Sequence, residues 1–137
     1  AAFGLRQLHR LDEFVETRRQ LAERYRRRLQ DNAGQLVLAA PGQRHPYYKL
    51  PLVLPPGWSR DKVARRLKEE FDVPTGTIYW PPCHRQPSFE SLCEGRVFPM
   101  ADAVLARTVA LPMHSNLSFD DVDWVCDAVL SVLEAGP

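Results

Sequence analysis

The chain has 137 residues, 45% of them hydrophobic and 26% charged, with a net charge of +1. That length suits one domain with a real core, and the balance excludes a disordered chain, which needs fewer apolar residues and more net charge. No apolar run approaches the ~18 residues of a membrane span and no signal-peptide pattern opens the chain, so a cytoplasmic protein with no membrane partner is expected.

Charge is unevenly spread. Residues 1–30 hold eight arginines against four acids, while residues 118–137 hold five acids and no base. We read these as two solvated helix faces placed to lie near each other. Nucleic-acid binding through Arg24, Arg26, Arg27 and Arg28 would come with a pI above ~9 and with aromatic or glycine interleaving. The pI here is 8.0, so no nucleic-acid partner is expected.

Leu5, Leu8, Leu11, Phe14, Val15, Leu21, Ala22, Tyr25 and Leu29 recur at three- and four-residue steps. That stripe predicts one long amphipathic helix through Gln30, about 45 Å at 1.5 Å per residue, a length suited to joining two domains. It starts without a capping residue, so the polypeptide is expected to continue upstream of Ala1. Asp31, Asn32 and Gly34 are the expected exit.

Two apolar runs, Leu36–Leu38 and Tyr47–Leu54, read as strands, with Pro51 restricting the second to an edge or a bulge. After the Pro55-Pro56-Gly57 turn, Ser59 caps a helix on which Val63, Leu67 and Phe71 share a face. Val73–Tyr79 reads as another strand. Ten of the twelve prolines lie between Pro41 and Pro99, and Pro81-Pro82 stiffens a loop that neither helix nor sheet can absorb. Met100–Arg107 reads as a short helix and Val109–Leu111 as a short strand. In the last helix Ser118 and Asp121 form a capping box, Leu117 and Val122 a hydrophobic staple, and Gly136 the stop. Helices and strands mix without βαβ alternation, which gives an α+β domain with a small, partly antiparallel sheet covered by helices.

Cys83, His84, Cys93, His114 and Cys126 are metal-ligand types without metal-ligand spacing, so no metal is expected. Cys83 and His84 are adjacent in sequence, which directs their side chains apart and argues against a nucleophilic dyad. The seven glycines form no phosphate-binding loop. What remains is Tyr79-Trp80-Pro81-Pro82-Cys83-His84-Arg85-Gln86-Pro87, which presents aromatics, an imidazole, a guanidinium and an amide on a rigid loop.

Several segments, in order, resemble the DegT/DnrJ/StrS-type family of pyridoxal-phosphate-dependent sugar aminotransferases. Ala1-Ala2-Phe3-Gly4-Leu5-Arg6-Gln7-Leu8 followed by Leu11-Asp12 is similar to the family's long-helix opening, continued by Arg18-Arg19 and Ala22-Glu23-Arg24-Tyr25. The Tyr79–Pro87 loop is similar to "Y-x-P-L-H-x-Q-P", with Cys83 where the family has Leu. Phe98-Pro99, Leu111-Pro112-Met113-His114 and Leu117-Ser118 resemble the closing motifs.

The resemblance implies the small C-terminal domain of the type I aminotransferase fold, residues 1–137, with a large cofactor-binding domain upstream. It implies transfer of an amino group from glutamate or glutamine to a nucleotide-linked keto sugar or cyclitol, pyridoxal phosphate as cofactor, and a homodimer. Tyr79, His84 and Gln86 are then expected to shape the substrate cleft. The only lysines, Lys49, Lys62 and Lys68, lack the family's Ser-x-x-Lys setting. This segment alone is therefore expected to be inactive, with no catalytic or principal cofactor-binding residue of its own. The alternative is a free-standing, non-catalytic remnant acting as a binding or dimerising module.

Overall fold

The apolar stripe of the first thirty residues folds into two helices rather than one. The computed structural model describes residues 2–29 and 33–137, with α1 at Ala2–His9 and α2 at Leu11–Leu29. The break falls at Arg10, whose N–H bonds back to the Gln7 carbonyl at 3.1 Å, an i→i−3 step that tightens the turn. Leu5, Leu8 and Leu11 lie open to solvent, whereas Leu21, Ala22, Tyr25 and Leu29 of α2 are buried. Tertiary packing, the main support of helices in folded proteins, thus holds α2, while Leu5 and Leu8 of α1 stay in solvent.

Of the expected helix exit, Asp31 and Asn32 lie outside the described residues. Gly34 sits at φ +99°, and a Cβ built there would stand 2.3 Å from the Val53 carbonyl oxygen. Only glycine fits so close to a neighbouring strand in that backbone conformation.

The sheet has three strands in the order β1 (Gln35–Leu36), β2 (Leu50–Val53), β3 (Thr108–Leu111), and both pairings are antiparallel. β2 is therefore the middle strand and Pro51 lies inside it, against the expectation of an edge or a bulge. The register explains why the proline is accepted. Pro51 faces Ala110, and Ala110 spends its N–H and its carbonyl on Gly76, at 2.9 Å each, on the far side of β3. Pro51 and Ala110 thus form a non-hydrogen-bonded pair, in which β3 asks no N–H of position 51. Towards β1, Pro51 accepts from the Val37 N–H at 2.9 Å but returns nothing, and β1 ends at Leu36. The expected strand at Val73–Tyr79 shrinks to the single Gly76–Ala110 bridge.

α3 (Arg60–Phe71) begins at Ser59, whose hydroxyl accepts from the Lys62 N–H. α4 is one turn, Glu90–Cys93, and α5 spans Pro99–Leu105. α6 (Phe119–Glu134) carries the capping box in full: Ser118 accepts from the Asp121 N–H and the Asp121 carboxylate accepts from the Ser118 N–H. Leu50, Leu52, Leu67, Val109, Val122 and Val129 meet with the buried face of α2 in one core. Each such side chain contributes about 1.5–3 kcal/mol when fully buried.

The basic and acidic ends of the chain do meet, where α2 packs on α6. Arg24 donates from Nε to Asp123 Oδ1 at 2.7 Å and from Nη2 to Asp123 Oδ2, and Arg28 pairs with Asp127. Arg26 and Arg27 converge on Glu23 at 2.6–2.9 Å. The four arginines considered for nucleic acid are all engaged with carboxylates. No helix among the described residues is long and apolar enough to cross a membrane.

Candidate functional site

The loop from Tyr79 to Pro87 leaves the sheet just beyond the Gly76 bridge and is held by residues of two helices. Its first anchor is aromatic. The Arg60 guanidinium, at the start of α3, lies over the Trp80 ring at 4.1 Å, and its Nε and Nη2 donate to Asp61 Oδ1 at 3.0 and 2.6 Å. Arg60 is buried while Asp61 is exposed, so the pair is half in water and the cation–π contact supplies the rest of its setting. The Arg60 N–H also donates to the Ala106 carbonyl at 3.2 Å, tying the start of α3 to the end of α5.

The second anchor is ionic. His84 Nε2 lies 3.0 Å from Asp102 Oδ1, and the Arg85 guanidinium forms an ion pair with Asp102 Oδ2 at 3.0 Å. The face of His84 rests on Phe98, with ring centroids 4.7 Å apart. Phe98 and Asp102 are four residues apart at the start of α5, which places both on one side of it. Burial raises the Asp102 carboxyl, but Arg85 and then His84 outweigh it and hold the group below the usual carboxylate range.

Within the loop, Cys83–Arg85 and Pro87–Phe89 form single 3-10 turns. Gln86 donates from Nε2 to the Pro81 carbonyl at 3.2 Å and from its backbone N–H to the Cys83 carbonyl at 3.1 Å. Gln86 thus spends its amide on the loop's own shape. Tyr79 behaves differently. It is 64% exposed and sits at φ +48°, a left-handed conformation that costs a non-glycine residue about 1–2 kcal/mol. Hydrogen bonding with the Tyr48 phenol, and then its electrostatic influence, raises the Tyr79 hydroxyl above the ordinary phenol range. Lys49 stands beside them, its ammonium donating to the Thr77 carbonyl at 3.0 Å.

The three residues named from the sequence therefore share one loop but not one environment. His84 is pinned, Gln86 is internal to the loop, and Tyr79 faces out with Tyr48. Sequence reading missed Asp102, Arg60 and Tyr48. Asp102 follows the Phe98-Pro99 motif by three residues, yet nothing in its spacing points to His84, eighteen residues earlier. Cys83, the departure from the family pattern, is exposed at the tip beside His84. Among the described residues, no group of His, Cys, Asp and Glu comes together to hold a metal ion.

Lys49 is committed to a backbone carbonyl, Lys68 to Asp72, and Lys62 is exposed on the first turn of α3. What the loop offers is a stiff, outward-facing edge with aromatic and cationic groups.

A sequence profile of the DegT/DnrJ/EryC1/StrS aminotransferase family matches residues 1–130. The chain is 30% identical over 140 residues to the spore coat polysaccharide biosynthesis protein SpsC of Bacillus subtilis, covering 98% of this chain and 36% of that protein. It is 34% identical over 138 residues to the dTDP-4-dehydro-2,3,6-trideoxy-D-glucose 4-aminotransferase of Saccharopolyspora spinosa, covering 98% of this chain and 34% of that one. The solved structure of the aminotransferase TlmJ from Streptoalloteichus hindustanus superposes with a TM-score of 0.82 at 33% identity, covering 96% of this chain and 35% of that chain. The chain spans about a third of the length of the relatives it matches. Its α+β architecture is that of a part of the type I aminotransferase fold. The family's cofactor is pyridoxal phosphate. With a match that runs from the first residue through most of α6, the chain belongs to the DegT/DnrJ/EryC1/StrS aminotransferase family.

Proposed function

We propose that these 137 residues are the small C-terminal domain of a pyridoxal-phosphate-dependent aminotransferase that moves an amino group from glutamate or glutamine to a nucleotide-linked keto sugar or cyclitol. The carrying observation is the family match over residues 1–130, supported by 34% identity to a relative named for amination of a dTDP-linked keto sugar. A large upstream domain supplies the cofactor lysine and the phosphate-binding groups, a reading supported by the absence of the family's Ser-x-x-Lys setting around Lys49, Lys62 and Lys68. The whole protein works as a cytoplasmic homodimer.

In this reading the chain binds and orients the sugar rather than performing the amine chemistry, which the cofactor supplies as an electron sink when bound. The Tyr79–Pro87 loop forms one wall of the cleft. Tyr79, exposed at the edge of the loop, presents its ring and phenol oxygen to the substrate. His84 and Gln86 keep the loop in the shape that presents it.

The test is the full-length protein, including the coding sequence upstream of Ala1, supplied with pyridoxal phosphate, glutamate or glutamine, and a panel of nucleotide-linked keto sugars. Amine transfer to at least one of them is expected. No transfer to any member of the panel would sink the reading. The 137-residue chain mixed with pyridoxal phosphate should give no lysine-dependent cofactor absorbance, and a clear stoichiometric band would reverse the account of its lysines.

A further inference from the structure

We propose that Asp102 is a positioning residue for the Tyr79–Pro87 loop, acting through His84 and Arg85 to fix the wall against which the sugar binds; the substrate part of this rests on the aminotransferase reading.

One carboxylate holds two consecutive loop residues, His84 Nε2 on Oδ1 and Arg85 Nη2 on Oδ2, both at 3.0 Å. Two oxygens engaged by two neighbouring residues fix direction as well as distance, which a single hydrogen bond does not. The Phe98 ring, one helical turn before Asp102, closes the remaining freedom of the imidazole by lying against it at 4.7 Å. The His84 side chain is 14% exposed and that of Asp102 29%, so water competes weakly for the first contact.

The anchor is itself firmly rooted. Thr108 Oγ1 donates to the Val104 carbonyl at 2.7 Å at the junction of α5 and β3. The Leu54 N–H donates to the Arg107 carbonyl at 2.8 Å, and the Arg60 N–H to the Ala106 carbonyl at 3.2 Å. The end of α5 is thereby bonded to the end of β2, the start of β3 and the start of α3. A displacement of the loop relative to the core must break the Asp102 contacts. The Arg60–Trp80 stack restrains only the loop's entry, four residues before His84.

Both Asp102 oxygens already face loop residues, so its effect on a substrate runs through the loop. A loop freed from it visits many positions, and a wall that must be ordered before the sugar can bind weakens that binding.

The test uses the full-length protein with Asp102→Ala, Asp102→Asn and Asp102→Glu, read by amide hydrogen exchange and by kinetics. For Asp102→Ala we expect exchange over residues 79–89 to rise about tenfold while α6 keeps its protection, as for a local rather than a global opening. The KM for the keto sugar should rise about tenfold with kcat and the KM for the amino donor little changed, the pattern of lost ground-state binding. Asp102→Glu should recover most of that loss and Asp102→Asn, which keeps an acceptor for His84 but no charge for Arg85, should lie between. Unchanged exchange over 79–89 in Asp102→Ala overturns the anchoring. Raised exchange with an unchanged sugar KM overturns the link from anchor to substrate. Parallel loss of kcat for both substrates with a fallen Tm overturns it in favour of a general structural role. A wild-type protein that aminates no sugar removes the aminotransferase reading, and the exchange result then still decides whether Asp102 holds the loop.

Discussion

Tyr25, on the buried face of α2, donates its phenol proton to the carbonyl of Pro112 at 3.0 Å, joining the first packed helix to the turn that follows β3. The ring is fully buried, and burial pushes its hydroxyl well above the ordinary phenol range. The proton therefore stays on the oxygen at every working pH. Tyr25→Phe should destabilise the fold by about 1–2 kcal/mol, because it leaves the Pro112 carbonyl without its partner. Urea unfolding reads this directly; a loss below the error of the method would mean that the carbonyl finds a substitute partner in water.

Gly34→Ala should cost more, about 2 kcal/mol or above, since the methyl group would meet the Val53 carbonyl oxygen in a left-handed backbone that alanine resists. Gly42→Ala is the control. Its φ is +83°, but nothing stands within 4 Å of the added carbon, so only the backbone preference is lost. Equal melting temperatures for the two variants would show that close approach to β2 is not the cause.

Glu23 is flanked by Arg26 and Arg27, and hydrogen bonds from the first and then the second lower its carboxyl from 4.5 to about 2. A depressed carboxyl stabilises the fold above its unfolded value and loses that contribution as pH falls. The window is therefore from about 4.5 down to about 2. The cluster is largely exposed, so its worth at neutral pH is only about 0.5–1 kcal/mol. Glu23→Gln should be less stable than the parent by that amount at pH 7, and the difference should vanish by about pH 2. A difference that persists at low pH would assign it to side-chain packing rather than charge.

Cys126 and Cys83 should separate cleanly in a thiol-labelling experiment. Burial, the largest influence, pushes the Cys126 thiol up to about 12, and the residue is fully enclosed in the core; Cys83 is exposed at the loop tip. Because the thiolate is the reactive form, iodoacetamide at pH 8 should label Cys83 in the native protein and Cys126 only after unfolding. Native-state labelling of Cys126 at the rate of Cys83 would mean that α6 opens from the core.

These outcomes bear on how far the sequence carries the structure. The caps at Ser59 and Ser118 were legible because a cap is local: donor and acceptor lie within three residues. The core face of α6 was legible because its period is that of the helix. The break at Arg10 was not, since the apolar stripe runs through it unchanged and what differs is packing further along the chain. The place of Pro51 was misread because a rule about proline in sheets speaks of N–H groups, while which N–H groups a strand needs depends on register with Ala110, 59 residues away. The site divides in the same way. Tyr79, His84 and Gln86 stood out as types on a stiff loop, and the resemblance gave that loop a role. Asp102, which fixes it, is visible only once α5 has been placed beside it.

Pro51 has one further consequence, for how the molecule behaves in a crowded solution. A sheet this small would ordinarily offer an open strand margin on which another chain could add its own strand. Here the proline stops β1 after two residues, and on the far side β3 meets only the single bridge at Gly76, beside Pro74. On the β1 side the ladder is only two residues long, too short to template an intruder. The residue that shortens the sheet thus also makes that margin a poor place for a second chain to add a strand.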